Sequence, residues 1–130
     1  MIVVDASLVL DIVMRTAEAD RLLSRLATAA SRPHAPELLD IEVLQALRRQ
    51  VRLKRLTPAR AAEAVALLGL LPIARRSHDP LRARIWQLRD NLTAYDAAYV
   101  ALAEALKAPL WTRDSKFSAA PGLATEVVVV

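Results

Sequence analysis

"LTAYDAAYVALAEALKAPLWTRD", residues 92–114, is the stretch on which the reading of this chain turns. It begins as an Ala-rich helix pattern and runs into a short apolar segment, Pro109 to Thr112, suited to a strand. An aspartate stands near each end, Asp96 and Asp114. Thr93-Ala94-Tyr95-Asp96 reads as a capping box, in which a Thr hydroxyl and an acid three residues on satisfy the free N–H groups of a helix start. Yet a rotation of about 100° per residue puts Asp96 on one stripe with Val100 and Ala103, an apolar face directed inward. A cap is content on the solvated side. A carboxylate at the rim of the interior, near other carboxylates, requires a cation between them. The stretch therefore asks whether Asp96 is a cap or a ligand.

Outward from it, the pattern alternates. Ile2-Val3-Val4-Asp5 is a β-branched run ended by an acid, and "SLVLDIVM" after it is helical. "EADRLLSRLATAAS" is an amphipathic helix stopped by Pro33. "ELLDIEVLQALRRQVRLKR" is a longer helix, with Pro36 suited to its first turn. "TPARAAEAVALLGLL" is another, closed by Gly69 and Pro72, and Leu71 to Ala74 is a candidate strand. "SHDPLRARIWQLRDN" is a further helix with Ser77 or Asp79 as cap, and His34 and His78 fall in loops beside prolines. After the opening stretch come a turn at "RDSK" and "TEVVVV", whose four valines suit a strand covered on both faces. Short apolar strands alternating with helices predict an α/β sandwich of three layers, a mainly parallel central sheet flanked by helices. With no repeat, low-complexity tract or linker, one domain over residues 1–130 is expected.

Composition narrows the chemistry. Without cysteine there is no disulfide, no thiolate metal site and no thiol nucleophile, and the two histidines lie far apart, so a metal site would be built mostly from oxygen. The net charge of +4, carried mainly by arginine, favours a polyanionic partner. No apolar run is long enough to span a membrane, and the N-terminal segment has no basic lead of the kind a secretory signal carries, so a soluble, cytoplasmic protein is expected.

Parallel α/β sheets gather functional groups beyond the carboxyl ends of their strands. Asp5 ends the first strand. Asp114 follows the Pro109–Thr112 strand by two residues, and Asp96 lies in the first turn of the helix leading down to that strand. Three acids from distant parts of the sequence are thus expected at one edge. On the third helix, Leu38, Glu42, Gln45, Arg49 and Arg52 share a stripe, while Leu39, Val43, Ala46, Leu47 and Val51 form the packing face. Glu42 begins a polar stripe that turns basic along its length, as a metal-dependent enzyme acting on a phosphate chain would require.

These residues resemble the PIN-domain ribonucleases, and within them the VapC-type toxins of bacterial toxin–antitoxin pairs. The resemblance is carried by "IVVDAS" with Asp5 and Ser7, "PELLDIEVLQALRR" with Glu42, "RDNLTAYDAAYVALAEAL" with Asp96, and "PLWTRDSKF" with Thr112 and Asp114, in the family's order and spacing. It implies that Asp5, Glu42, Asp96 and Asp114 bind Mg2+ or Mn2+, with Ser7 and Thr112 orienting the carboxylates. It implies cleavage of single-stranded or looped RNA by a metal-activated water, leaving a 5′-phosphate and a 3′-hydroxyl, and also a homodimer and a cognate antitoxin. Arg49, Arg52, Arg113 and Lys116 are the candidates for phosphate contacts. Two departures stand out: Gln45 where family members often carry Asn, and Lys116 where some carry a further acid.

Other classes fit less well. An aspartyl-nucleophile phosphatase needs an acid two residues after the first, where Ser7 stands, and a receiver-type phosphoacceptor would have to take Lys116 as its late lysine. A catalytically silent module acting through a protein partner is the serious rival. Trp86 and Trp111 read as packing residues. The Leu- and Ala-rich helices from Ala19 to Ala30 and from Pro58 to Leu71 suit a dimer face, a groove for an antitoxin helix, or a plain core.

Overall fold

The computed structural model describes all 130 residues. Strands β1 (Val3–Val4), β2 (His34–Pro36), β3 (Ala74–Arg76), β4 (Leu110–Thr112) and β5 (Val127–Val129) form one sheet in the order β3-β2-β1-β4-β5. Every pairing is parallel. The helices are α1 (Ala6–Val13), α2 (Ala19–Ala27), α3 (Leu38–Arg52), α4 (Pro58–Leu70), α5 (Arg82–Gln87), α6 (Ala94–Leu106) and α7 (Lys116–Ala119), with a 3-10 turn at Asp79–Leu81 before α5. The expected three-layer α/β sandwich is what forms. Helices α1 to α4 pack on one another, and α5 packs on α6. No helix is long and apolar enough to cross a membrane.

The topology follows from handedness. A parallel crossover is right-handed, so the chain running β1 to β2 to β3 keeps its helices on one face, and the return to β4 on the far side of β1 carries its helices on the other. The order therefore reverses between β1 and β4, the switch point at which α/β sheets open a crevice. The core gathers here: Val3, Val4, Leu110, Leu39, Val43 and Val100 are fully buried. Helix α6 explains its own composition. Residues Ala97 to Ala103 are all buried, so the helix is enclosed on nearly every side, and alanine lets it approach the sheet closely.

Several sequence expectations shift. His34 lies in a strand, β2, which its flanking prolines hid; Pro33 and Pro36 are tolerated because they stand beside and at the end of only three residues. The third strand starts at Ala74, where Leu71 to Ala74 was expected. "RDSK" holds the start of a short helix as well as a turn. Strand β5 is an edge strand with Val129 about half exposed, so the valine run is not covered on both faces. Trp86 is 67% exposed and stacks under Arg89, with the guanidinium 4.6 Å from the ring, so it is not a packing residue. Trp111 is half-buried against Arg25.

Candidate active site

Asp5 emerges at the carboxyl end of β1. In the parallel register Val4 lies beside Trp111, so the next residues, Asp5 and Thr112, stand side by side at the switch point. Asp5 is 4% exposed and caps α1, accepting from the Leu8 N–H at 3.1 Å. Its other partners are hydroxyls: Ser7 Oγ donates to Oδ1 at 2.7 Å and Thr112 Oγ1 donates to Oδ2 at 2.6 Å. Both hydroxyls are fixed in turn, Ser7 Oγ accepting from the Arg113 N–H at 3.0 Å and Thr112 Oγ1 from the Asp114 N–H at 2.9 Å. Burial pushes the Asp5 carboxyl above its ordinary range, against these hydrogen bonds, which favour the charged form.

Glu42 sits one turn into α3, which starts just past the carboxyl end of β2. The start of α3 is held by a forked ion pair, Arg75 of β3 donating to Asp40 at 2.7 and 3.2 Å. Glu42 Oε1 accepts from the Tyr99 hydroxyl of α6 at 2.6 Å. Its carboxyl is pushed up by burial first and then by the charges of Asp96 and Asp5, with the tyrosine bond opposing. Burial and Glu42 together push the Tyr99 phenol far up, so it stays neutral and donates.

Asp96 answers the question posed by its stretch. Thr93 Oγ1 accepts from the Asp96 N–H at 3.2 Å, so half the capping box forms. The Asp96 carboxylate does not return to the Thr93 N–H. It turns inward and meets Lys116 Nζ at 3.0 Å, while Val100 and Ala103 below it are fully buried. Asp114 meets the same ammonium at 3.2 Å and accepts from the Lys116 N–H at 2.9 Å. That backbone bond, with the ammonium assisting against partial burial, holds the Asp114 carboxyl below its usual range. At Lys116 burial pulls the ammonium down, and its two ion pairs outweigh it.

Asp5, Glu42, Asp96 and Asp114 thus line one cavity of about 230 Å³, together with Ser7, Tyr99 and Lys116. An all-carboxylate donor set fits a hard divalent cation, and buried Asp5 and half-buried Glu42 have no ion-pair partner, which is the charge deficit such a cation would relieve. The cluster is open: no three of these acids lie close enough together to form a metal-holding group as they stand.

Of the residues expected on the phosphate path, only Arg49 lies beside the site, in a concavity with Gln45, Tyr95 and Ile41 that shares Glu42 and Ala46 with the acid cavity. Arg52 faces the groove between α3 and α4 instead. Arg113 is held by Asp11 at 2.8 Å and by the Val130 carbonyl, away from the cavity, because the chain turns outward between Thr112 and Asp114. Lys116 is inside the acid cluster rather than beside it. Tyr95, 65% exposed, and Tyr99 had no assigned role in the sequence; the position of Tyr99 three residues after Asp96 on the inward stripe was the available signal.

Residues 2–123 match the PIN domain family. Ribonuclease VapC1 of Mycobacterium tuberculosis is 44% identical over 129 residues, covering 98% of this chain and 96% of that protein. Ribonuclease VapC9 of the same organism is 42% identical over 118 residues, covering 91% and 89%. Among solved structures, the sarcin-ricin loop cleaving toxin VapC20 of M. tuberculosis superposes with a TM-score of 0.72 at 17% identity over 100% of this chain and 98% of that one. With sequence likeness running from end to end and acids delivered to the switch point of a parallel sheet, the chain belongs to the PIN-domain family, among its VapC-type ribonucleases.

Proposed function

We propose that this protein is a divalent-metal-dependent endoribonuclease and the toxin of a toxin–antitoxin pair. The observation that carries the reading is the convergence of Asp5, Glu42, Asp96 and Asp114 on one cavity at the β1–β4 switch point. The relatives above are named ribonucleases. A solved toxin–antitoxin complex from Klebsiella pneumoniae, similar in fold at a TM-score of 0.69 and 19% identity over 98% of this chain and 96% of that one, supports a cognate antitoxin as partner. A homodimer and a cytoplasmic location belong to the same proposal.

Asp5, Glu42 and Asp96, with Asp114, would hold Mg2+ or Mn2+, which when bound polarises a phosphoryl oxygen and acidifies water. The chain's own residues supply the rest. Ser7 and the Leu8 N–H fix Asp5 Oδ1, while Thr112 orients Oδ2 and leaves it a free lone pair. Tyr99 does the same for Glu42. No side chain serves as nucleophile: there is no cysteine, and the Ser7 and Thr112 hydroxyls each donate to Asp5 and accept a backbone N–H. A water activated by the bound ion would supply the attacking oxygen, with hydrolysis to a 5′-phosphate and a 3′-hydroxyl. Arg49, which lines the adjoining concavity, would contact a flanking phosphate, and the exposed Tyr95 ring an unpaired base.

The test is cleavage of structured and single-stranded RNA in magnesium, in EDTA, and with Asp5→Asn. Cleavage should vanish in the last two. Full cleavage by Asp5→Asn, or indifference to EDTA, overturns the metal mechanism; a folded protein that cuts no RNA would instead be the silent binding module.

A further inference from the structure

We propose that Lys116 is a tethered cation of the acid cavity, which pairs Asp96 with Asp114 and leaves Asp5 and Glu42 as the main grip for a single resident divalent ion. The inference rests on the reading of that cavity as a divalent-cation site.

The ammonium lies between two carboxylates from different elements, 3.0 Å from Asp96 Oδ2 and 3.2 Å from Asp114 Oδ2. The backbone brings it there. Lys116 N–H donates to Asp114 Oδ1 at 2.9 Å, folding the loop back on itself, and the next side chain, Phe117, is 1% exposed in the core. Lys116 is anchored on both sides and its reach is short, unlike that of a lysine on an open helix face.

The cavity is therefore compensated unevenly. Asp96 and Asp114 share a positive charge, while Asp5, the most deeply buried acid, and half-buried Glu42 have only neutral donors. Four carboxylates with one ammonium and one divalent ion carry a single negative charge, and a second divalent ion beside the retained ammonium would make the cavity net positive before any substrate arrived. A cation arriving at Asp96 and Asp114 must displace the ammonium, so the two compete through a coupling free energy.

The experiment is Mn2+ titration of the full chain without RNA, by calorimetry and by the electron paramagnetic resonance signal of free Mn2+, on the wild type, Lys116→Met and Lys116→Arg. The wild type and Lys116→Arg should each bind one ion. Lys116→Met should bind a second, or bind the first about tenfold more tightly, as a released competitor of ordinary coupling strength predicts. Its Tm should also fall below that of the wild type without metal and rise more than the wild type's when Mn2+ is added. If Lys116→Met is unfolded without metal, Lys116→Gln carries the same comparison. Unchanged stoichiometry and affinity in the neutral variants, weaker binding by them, or two ions in the wild type each overturn the role of Lys116 while leaving the metal site standing. A wild type that binds no Mn2+ brings down the metal-site reading and this inference with it.

Discussion

Tyr99 of α6 donates its hydroxyl to Glu42 of α3 at 2.6 Å, across 57 residues of sequence, and so ties together the two helices that bring acids to the switch point. Tyr99→Phe keeps the ring in its buried place and removes only the donor. We expect cleavage to fall about tenfold, as for other groups that orient metal ligands. Stability should drop by about 1.5–3 kcal/mol, the range for a hydrogen bond to a charged acceptor. Initial cleavage rates and denaturant melts of the same preparations check both; an unchanged rate would remove Tyr99 from the site's machinery.

Thr93 and Asp96 divide the two roles that their stretch of sequence merged. Thr93→Ala should cost about 0.5–2 kcal/mol of stability through the lost cap, with cleavage retained. Asp96→Asn should abolish cleavage with a smaller loss of stability, since its carboxylate caps nothing and faces Lys116. A stability loss from Asp96→Asn as large as that from Thr93→Ala, with cleavage intact, would return Asp96 to the role of a cap.

Tyr95 and Arg49 are expected to hold RNA without taking part in the chemistry. On an Asp5→Asn background, Tyr95→Ala should weaken binding of a single-stranded oligonucleotide by about 1–3 kcal/mol, the contribution of one stacked base, and Tyr95→Phe should restore it. Arg49→Ala should flatten the dependence of binding on salt by about one unit of slope. Fluorescence anisotropy across a salt series reads both, and equal affinity of Tyr95→Ala and the parent would rule the stacking role out.

Glu104 of α6 sets an acid limit to stability far from the cavity. It accepts from Arg84 at 2.7 and 3.1 Å and from the Ala124 N–H at 2.8 Å, joining α5, α6 and the loop before β5. Burial raises its carboxyl, but the Arg84 and Ala124 bonds outweigh burial and leave it below the usual range. A depressed carboxyl stabilises the fold above its unfolded pKa of about 4.3, and that stabilisation is lost as pH falls through the folded value. Between pH 6 and about pH 3, the Tm of the wild type should therefore fall more steeply than that of Glu104→Gln. Parallel acid titrations of the two would contradict the pairing.

Much of this protein was legible from local pattern. Helix α6 and strand β4 are where the periodicity and the apolar run put them, and the inward stripe of Asp96 is real because Val100 and Ala103 lie fully buried beneath it. Strand β2 was not legible. Its three residues are shorter than any periodicity can register, and one proline before them and another at their end signal a loop; only pairing on both sides, with β1 and β3, makes them a strand. Arg113 was misplaced for a related reason. Its neighbours Thr112 and Asp114 serve the cavity, but the chain bends at Arg113 just past the end of β4, and Asp11 is there to receive the guanidinium on the other side.

By itself the sequence determined the polarity of the site: in a parallel sheet every strand ends at the same edge, so acids placed after strands or at helix starts must come to that edge whatever the strand order. The tertiary structure alone decided which groups touch there. The reversal of strand order set Asp5 beside Thr112, the reach of Tyr99 from α6 across the carboxyl edge of the sheet gave Glu42 its tyrosine, and the seating of Phe117 returned the Lys116 ammonium to Asp96 and Asp114. These are contacts of a few ångströms between residues far apart along the chain, and only the packed core fixes distances at that scale.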